Sequence, residues 1–444
     1  MNSDKAFAAP AINTIKQRWP EIWEQLEQSH PCQDIQFVQD KPNATFIYDK
    51  IQLASAYNPA SEAELQISLV PPNPEKLQLY GVGMGYLPRV LLQNFHSLRF
   101  LQVFILNKSL FLELLYWIDQ TDWLADERLA LHLPSNNSRP ISPWVVTPPL
   151  LWLADKEAAN LRDRLLTDMN SENITADQQN RRQMLMKNIE DNTSFVEKDG
   201  NVTELFDTLS GTEIEVIVVG AGPSLDKLIS VISDRQKNGT LVIAVDAATK
   251  PLLFSNILPD IIVTIDPLRN GILPNFDGDL SALANCKLIY YPVVHHDVLQ
   301  IWPFTRLTAF ADHTLYKQLG RQHSKGVLYS SGSVIHPAID LAVKMGTQKI
   351  ALAGADFSFP YAKTHADGVP HGQTIPSPNK QIPSRRWVFN GNEKRVATQL
   401  NMIGYLRDLE DYIKLHDQIE FVNLSKDGAR IEGAVYPAEA QDEH

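Results

Sequence analysis

The stretch Val216 to Leu228, VIVVGAGPSLDKL, decides the fold. Val216 to Val219 form a short apolar run of β-branched residues closed by Gly220, the pattern of a strand covered on both faces in a parallel sheet. Gly220, Ala221 and Gly222 then turn the chain. Pro223, with its fixed φ and missing N–H, suits the first turn of a helix beginning near Pro223 or Ser224. A strand, a glycine turn and a helix leave backbone N–H groups at the helix N-terminus, where the dipole favours an anion. Gly220, Gly222, Pro223 and Ser224 therefore read either as a phosphate seat or as an ordinary βα turn. No Gly-Lys-Ser/Thr follows, so this is not a Walker A loop, and the third glycine of the dinucleotide fingerprint is missing.

Downstream, the same punctuation repeats. TLVIAVDAATKPLLF predicts a strand ending at Asp246 and then a helix, and DIIVTIDP a strand ending at Asp266. CKLIYYPVV and LTAFAD predict further short strands. VLYSSGSVIHPAIDLAVKMG predicts a polar turn entering a helix, and KIALAGADFSF a strand ending at Asp356. Three carboxylates thus fall at C-terminal strand ends, the edge where open parallel sheets bind ligands. Asp266, preceding Pro267, also fits a residue that closes a turn or caps a helix. Ser330, Ser331 and Gly332 lie on that edge, where they can offer hydroxyls and N–H groups to a ligand, or where Ser331 or Ser333 can serve as an N-cap. Arg395 to His416 reads as a helix and IEFVNLSKDGARIEGAVYP as a closing strand with a short extension.

Upstream, Ile12 to Gln28 reads as an amphipathic helix, and FIYDKIQLASAYNPASEAELQISLV as short strands joined at an Asn-Pro turn. LQLYGVGMGYLPRVLLQNF and LRFLQVFILNKSLFLELLYWI form a βαβα pattern whose first turn carries Gly81, Gly83 and Gly85. Its second strand ends at Asn107, where a nucleotide-binding unit would hold ribose with a carboxylate. This predicts a degenerate nucleotide-binding-like domain with a structural or partner-binding role. Pro134 to Leu151 concentrates Pro, Ser and Asn and reads as an inter-domain connection. The expected organisation is an N-terminal α/β domain over 1–150, a helical connection over 151–213, a catalytic domain over 214–437 and a polar tail over 438–444.

The 444 residues, 44% hydrophobic and 21% charged, fit a globular chain of more than one domain. Forty basic against fifty-two acidic side chains give a net charge of −12, which opposes nonspecific binding to nucleic acid or anionic membrane. Lys380, Arg385 and Arg386 form a local basic patch able to meet a phosphate. Cys32 and Cys286 are too few for a disulfide framework or a zinc cluster and are expected as reduced thiols. No apolar run is long enough to span a bilayer, and the first residues lack a signal-peptide pattern, so the cytoplasm is the expected compartment.

Taken together, VVGAGPSLD, VDAATKPLL, TIDP, SSGSVIHPAIDLAVKMGTQKIALAGADFSF and KTHADG resemble the motility-associated factor (Maf) flagellin glycosyltransferases. The central domain of that family is similar to bacterial CMP-dependent sialyltransferases. The resemblance covers Ile189 to Tyr436 and is weaker before it. It implies a Rossmann-like parallel α/β sheet, sialyltransferase-like and GT-A-type, preceded by a smaller α/β domain and carrying C-terminal helices.

The function it implies is transfer of a nonulosonic acid, of pseudaminic or legionaminic type, from its CMP-activated form to Ser or Thr of flagellin, for flagellum assembly and motility. The reaction would be inverting and would use neither metal nor cofactor beyond the CMP-sugar donor. By resemblance, Gly220, Gly222, Pro223 and Ser224 approach the nucleotide phosphate, Ser330, Ser331 and Gly332 contact the cytidine part, and Asp246 contacts ribose or base. Asp266 and Asp356 complete the donor edge. His365, in the Thr-His motif, is the first choice of general base and His371 the second. Sialyltransferases carry tyrosines after their Asp-Phe pair; here Ser358 stands in the adjacent place and Tyr361 is the nearby phenol.

An archaeal branch sharing the GxGPSL turn moves pyrophosphate from ATP to a hydroxymethylpterin, and there Asp246, Asp266 and Asp356 would hold Mg²⁺. A flagellin-binding factor without catalysis is the non-enzymatic alternative.

Overall fold

Short apolar runs spaced by glycine and aspartate build a parallel sheet in each half of the chain. The computed structural model describes residues 8–437 apart from 31, 33, 41–42, 68–69, 136–137, 172–174 and 375–385. The expected tail over 438–444 lies outside the described residues. The chain divides into two units, Met1–Met169 and Asn170–His444.

In the first unit, strands β1 (Lys76–Tyr80), β2 (Phe100–Phe104), β3 (Leu129–His132) and β4 (Trp144–Val146) form a parallel sheet in the order β3-β2-β1-β4. Helix α1 (Tyr86–Asn94) follows β1, and α2 (Lys108–Trp117) follows β2. Strand β4 corrects the reading of Pro134 to Leu151 as a connection. Within its Pro- and Ser-rich surroundings, Trp144, Val145 and Val146 pair with β1 and bury both valines. The Asn-Pro turn also leads elsewhere than expected. Asn58 accepts the N–H of Ser61 at 3.1 Å, and a helix, Pro59–Ile67, follows in place of another strand.

The second unit carries β5 (Val216–Val219), β6 (Leu241–Val245), β7 (Ile261–Thr264), β8 (Lys287–Tyr290), β9 (Arg306–Phe310), β10 (Gly326–Val327), β11 (Lys349–Ala353) and β12 (Glu420–Asn423). They run parallel in the order β10-β9-β8-β7-β6-β5-β11-β12, with Gly200–Asn201 beside β9. All four residues of β5 are buried, and each buried valine contributes about 2 kcal/mol, so a polar residue there would break the sheet. Helices α3 (Thr175–Lys198), α4 (Ile229–Lys237), α5 (Ile335–Met345) and α6 (Leu400–Leu415) complete the α/β unit.

Three boundaries differ from the sequence reading. The division falls after Met169, so the expected helical connection over 151–213 is shared between the units, its first part carrying the buried Leu161, Leu165 and Leu166. The helix expected near Pro223 begins as a 3-10 turn, Pro223–Lys227, in which Leu225 N–H reaches Gly222 O at 3.0 Å, and α4 follows it. Helix α6 starts at Leu400 because Arg395–Ala397 pairs as a strand with Trp387–Phe389.

Strand order reverses between β5 and β11. That reversal is a topological switch point, where open α/β sheets form their ligand crevice.

Candidate functional site

At the switch point two loops close on each other. Gly220 N–H donates to Ala353 O at 2.7 Å and Gly222 N–H to Gly354 O at 2.8 Å. A Cβ on Gly220 would stand 2.6 Å from Gly354 O, so glycine is required by the approach of the two backbones. The Asp356 carboxylate enters the turn itself: its Oδ2 accepts Ser224 N–H at 2.7 Å, and a Cβ on Gly222 would meet that oxygen at 2.5 Å. An anion thus occupies the N–H group of the glycine turn, and the protein supplies it. Burial raises the Asp356 pKa to about 6; the hydrogen bond from Ser224 N–H opposes the rise, and the charges of Asp427 and Asp226 add to it.

The segment after Asp356 is strapped over this turn. Ala366 N–H donates to Ala221 O at 2.9 Å, Lys363 pairs with Asp226 at 3.2 Å, and Tyr361 donates to Asp427. Phe357, Tyr361 and Ala362 hold φ of 45°, 58° and 55°, left-handed conformations that cost about 1 to 3 kcal/mol apiece outside glycine. His365 sits on the strap with Nδ1 3.1 Å from Thr364 Oγ1, its pKa lowered by burial and then by His371. His371 is exposed.

A cavity of about 660 Å³ opens beside the switch point, over the C-terminal ends of the strands from β6 to β10. Asp246, Asp266, Ser330 and Gly332 line it. Asp246 accepts the Thr264 hydroxyl and Ala247 N–H, each at 2.7 Å, and burial raises its pKa to about 6, with the Asp266 charge adding to the rise. Asp266 accepts Leu268 N–H at 2.9 Å, so it closes the Asp-Pro turn and faces the cavity at once. Ser331 turns its hydroxyl to Asp408, and Val334 stands at the N-cap of α5 without a side-chain bond, so neither Ser331 nor Ser333 caps that helix.

The residues chosen from sequence therefore form two groups. Asp246, Asp266, Ser330 and Gly332 share the cavity, whereas Gly220, Gly222, Pro223, Ser224 and Asp356 gather at the switch point with Tyr361, His365 and His371 on the strap over it. None of the second group lines the cavity. Lys380 and Arg385 lie outside the described residues.

Sequence reasoning missed two residues that shape the cavity. Asn188 on α3 donates to Pro267 O at 3.1 Å and Val293 O at 2.8 Å, and Asn192 donates to Pro292 O at 3.0 Å and Val294 O at 2.8 Å. One turn apart on one helix face, they tie down the loops after β7 and β8. Nothing in the local pattern separates them from exposed helical amides. His313, after β9, and Tyr405, on α6, are further wall residues that the motifs did not mark.

The glycine turn of the first unit is filled by apolar and amide side chains. Leu150 and Thr147 pack on Gly81 and Gly83, Gln120 packs on Gly85, and the cavity beside Gly83 measures about 20 Å³, room for about one water. Asn107 accepts Leu110 N–H at 2.8 Å and donates to Leu153 O at 2.6 Å, which makes it the N-cap of α2. Among the described residues, no three His, Cys, Asp or Glu side chains converge as a metal cluster.

Residues 185–362 match the family model described as 6-hydroxymethylpterin diphosphokinase MptE-like. A curated relative, 6-hydroxymethyl-7,8-dihydropterin pyrophosphokinase of Methanocaldococcus jannaschii, is 33% identical over 106 residues, which is 23% of this chain. The chain spans only 37% of that relative's length. The fold is also similar to the solved MAf glycosyltransferase from Magnetospirillum magneticum AMB-1, at 15% identity and a TM-score of 0.47, over 99% of this chain and 76% of that one. A likeness that distant carries nothing about chemistry.

Proposed function

We propose that the chain is a glycosyltransferase that moves a nonulosonic acid from a CMP-activated donor to a Ser or Thr hydroxyl of flagellin, in the cytoplasm and before export. The observation that carries this reading is the gathering of Asp246, Asp266, Ser330 and Gly332 on one cavity, since the resemblance assigns Asp246, Ser330 and Gly332 to the nucleotide part of the donor and Asp266 shares their strand edge. A volume of about 660 Å³ suits a ligand of that size. Carboxylates accept sugar and ribose hydroxyls and the amino group of cytosine. In the reaction, the acceptor oxygen bonds to the anomeric carbon as the carbon–oxygen bond to phosphate breaks. CMP leaves with the electron pair, and the hydroxyl proton passes to a base. His365 and then His371, the candidates from the motif, stand on the strap and outside the cavity lining, so either acts as base only where the acceptor spans from the cavity to the strap. Among the described residues no helix is long and apolar enough to cross a membrane.

The test is incubation of the protein, flagellin and a CMP-activated nonulosonic acid in EDTA. Flagellin gaining the mass of one sugar, with equimolar CMP release, supports the reading; intact donor and unmodified flagellin oppose it.

The match over residues 185–362 favours a second reading, Mg²⁺-dependent transfer of pyrophosphate from ATP to a hydroxymethylpterin. Asp246 and Asp266 would then hold Mg²⁺ together with phosphate oxygens, a common arrangement for that ion. Asp356 is less suited to that set because its carboxylate is committed to Ser224 N–H. A pterin diphosphate formed only when Mg²⁺ is present would establish this second activity.

A further inference from the structure

Loss of a phosphate leaving group concentrates negative charge on its oxygens, and hydrogen-bond donors fixed near that charge stabilise the transition state more than the ground state. The residues lining the cavity include no Lys or Arg among those described, so the side-chain donors there are the hydroxyls of Ser330, Ser333, Tyr291, Tyr316 and Tyr405 and the His313 imidazole. Tyr291 lines the cavity, but its hydroxyl donates to Leu328 O at 2.9 Å.

His313 differs. It follows β9, lines the same cavity and caps the 3-10 turn Thr314–Tyr316, with Nδ1 accepting Leu315 N–H at 3.2 Å. A ring nitrogen that accepts a hydrogen bond carries no proton, so the neutral imidazole holds its proton on Nε2. In that tautomer the ring has no lone pair left to act as a base, and its free function is donation from Nε2–H.

We infer that His313 donates Nε2–H to the phosphate oxygen of the departing nucleotide, an inference that rests on the sugar-transfer reading. The bond changes balance without a proton from His313. The acceptor oxygen bonds to the anomeric carbon, the carbon–oxygen bond to phosphate breaks, the electron pair stays on phosphate, and the hydroxyl proton goes to a separate base. His313 therefore gives up no proton in the step. Its backbone cap fixes the tautomer and thereby the polarity of the group presented to the nucleotide.

Two variants separate the cap from the donor. In His313→Asn, Oδ1 reaches about as far as Nδ1 and keeps the cap, while nothing replaces Nε2. In His313→Gln, the side-chain amide reaches about as far as Nε2 and keeps a donor, while the cap is lost.

CMP release from the activated donor in the presence of flagellin, CMP affinity and thermal melting are measured for the wild type and both variants. The expected result is a kcat lowered about 100-fold in His313→Asn, the effect typical of losing one such donor, with CMP affinity lowered as well, because free CMP carries the full phosphate charge, and melting unchanged. His313→Gln regains most of the rate. Wild-type turnover in His313→Asn overturns the inference, as does a rate loss in His313→Gln alone with lowered melting, which would make His313 a cap only. A wild type that releases no CMP overturns the sugar-transfer reading and this inference with it, an outcome distinct from failure at the variants.

Discussion

Gly81 to Gly85 in the first unit and Gly220 to Gly222 in the second both follow a strand with a buried apolar core and both precede a helical turn. The first is packed with Leu150, Thr147 and Gln120 and leaves about 20 Å³ beside it. The second receives a carboxylate, Asp356, and has about 660 Å³ open over the neighbouring strand ends. The difference teaches that a glycine turn on a parallel sheet reports the close approach of something to the backbone. Whether that partner is a ligand depends on residues far away in sequence. Asn107 and Asp246 repeat the lesson at the second strand of each unit. One is used as a helix cap, and the other keeps its carboxylate beside a cavity.

The comparison breaks most visibly at the glycines. Gly222→Ala places a Cβ 2.5 Å from Asp356 Oδ2 and 2.6 Å from Gly354 O, both held by hydrogen bonds, and should destabilise the second unit by about 3 kcal/mol or more in urea unfolding. Gly83→Ala meets only the Thr147 methyl group at 2.9 Å and should cost the first unit about 1 to 2 kcal/mol, chiefly through its positive φ. Equal losses would mean that the two turns are filled alike.

On activity, His365→Ala should lower turnover about 100-fold while CMP affinity changes little. An unchanged rate would move the base to His371 or off the strap altogether.

Asp356 sharpens the contrast through pH. Its carboxyl, at an ordinary 3.8, is raised to about 6 in the folded chain, so the native state holds a proton between about pH 4 and 6 that the unfolded chain has lost. The stability this proton contributes is complete below about pH 4 and gone above about pH 6, a swing on the order of 2 to 3 kcal/mol. Asp356→Asn stays neutral, so its stability relative to the wild type should rise over that window. A flat difference across the window would show that Asp356 is not the buried anion of the turn.

The smallest effects separate the two nucleotide-like positions. Asp266→Ala should weaken CMP binding about tenfold, or about 1.4 kcal/mol. Asn107→Ala should leave CMP binding unchanged and lower the stability of the first unit by about 1 kcal/mol, the usual cost of a lost N-cap. Weaker CMP binding in Asn107→Ala would assign a ligand to the first unit.

The second sheet was legible because Val216 to Val219 and its counterparts are short apolar runs ended by glycine or aspartate, which local sequence records directly. Asp246 and Asp266 were legible for the same reason, since a carboxylate at a parallel strand end has a defined edge. Asp356 was placed on that edge, but its entry into the glycine turn depends on β5 lying beside β11, a tertiary pairing that no local window contains. Asn188, Asn192 and His313 were hidden because their roles are set by the loop carbonyls or amides they meet. Trp144 to Val146 was hidden by prolines and serines on either side, which outweighed a strand of three residues.

The central claim is that the cavity over the strand ends takes a cytidine nucleotide without metal. Calorimetric titration with CMP and with ATP, each in EDTA and in Mg²⁺, tests it most directly. The account predicts one CMP bound per chain in EDTA, with affinity lowered by Asp266→Ala. Metal-dependent ATP binding with no response to CMP would contradict it and make pyrophosphate transfer the leading reading.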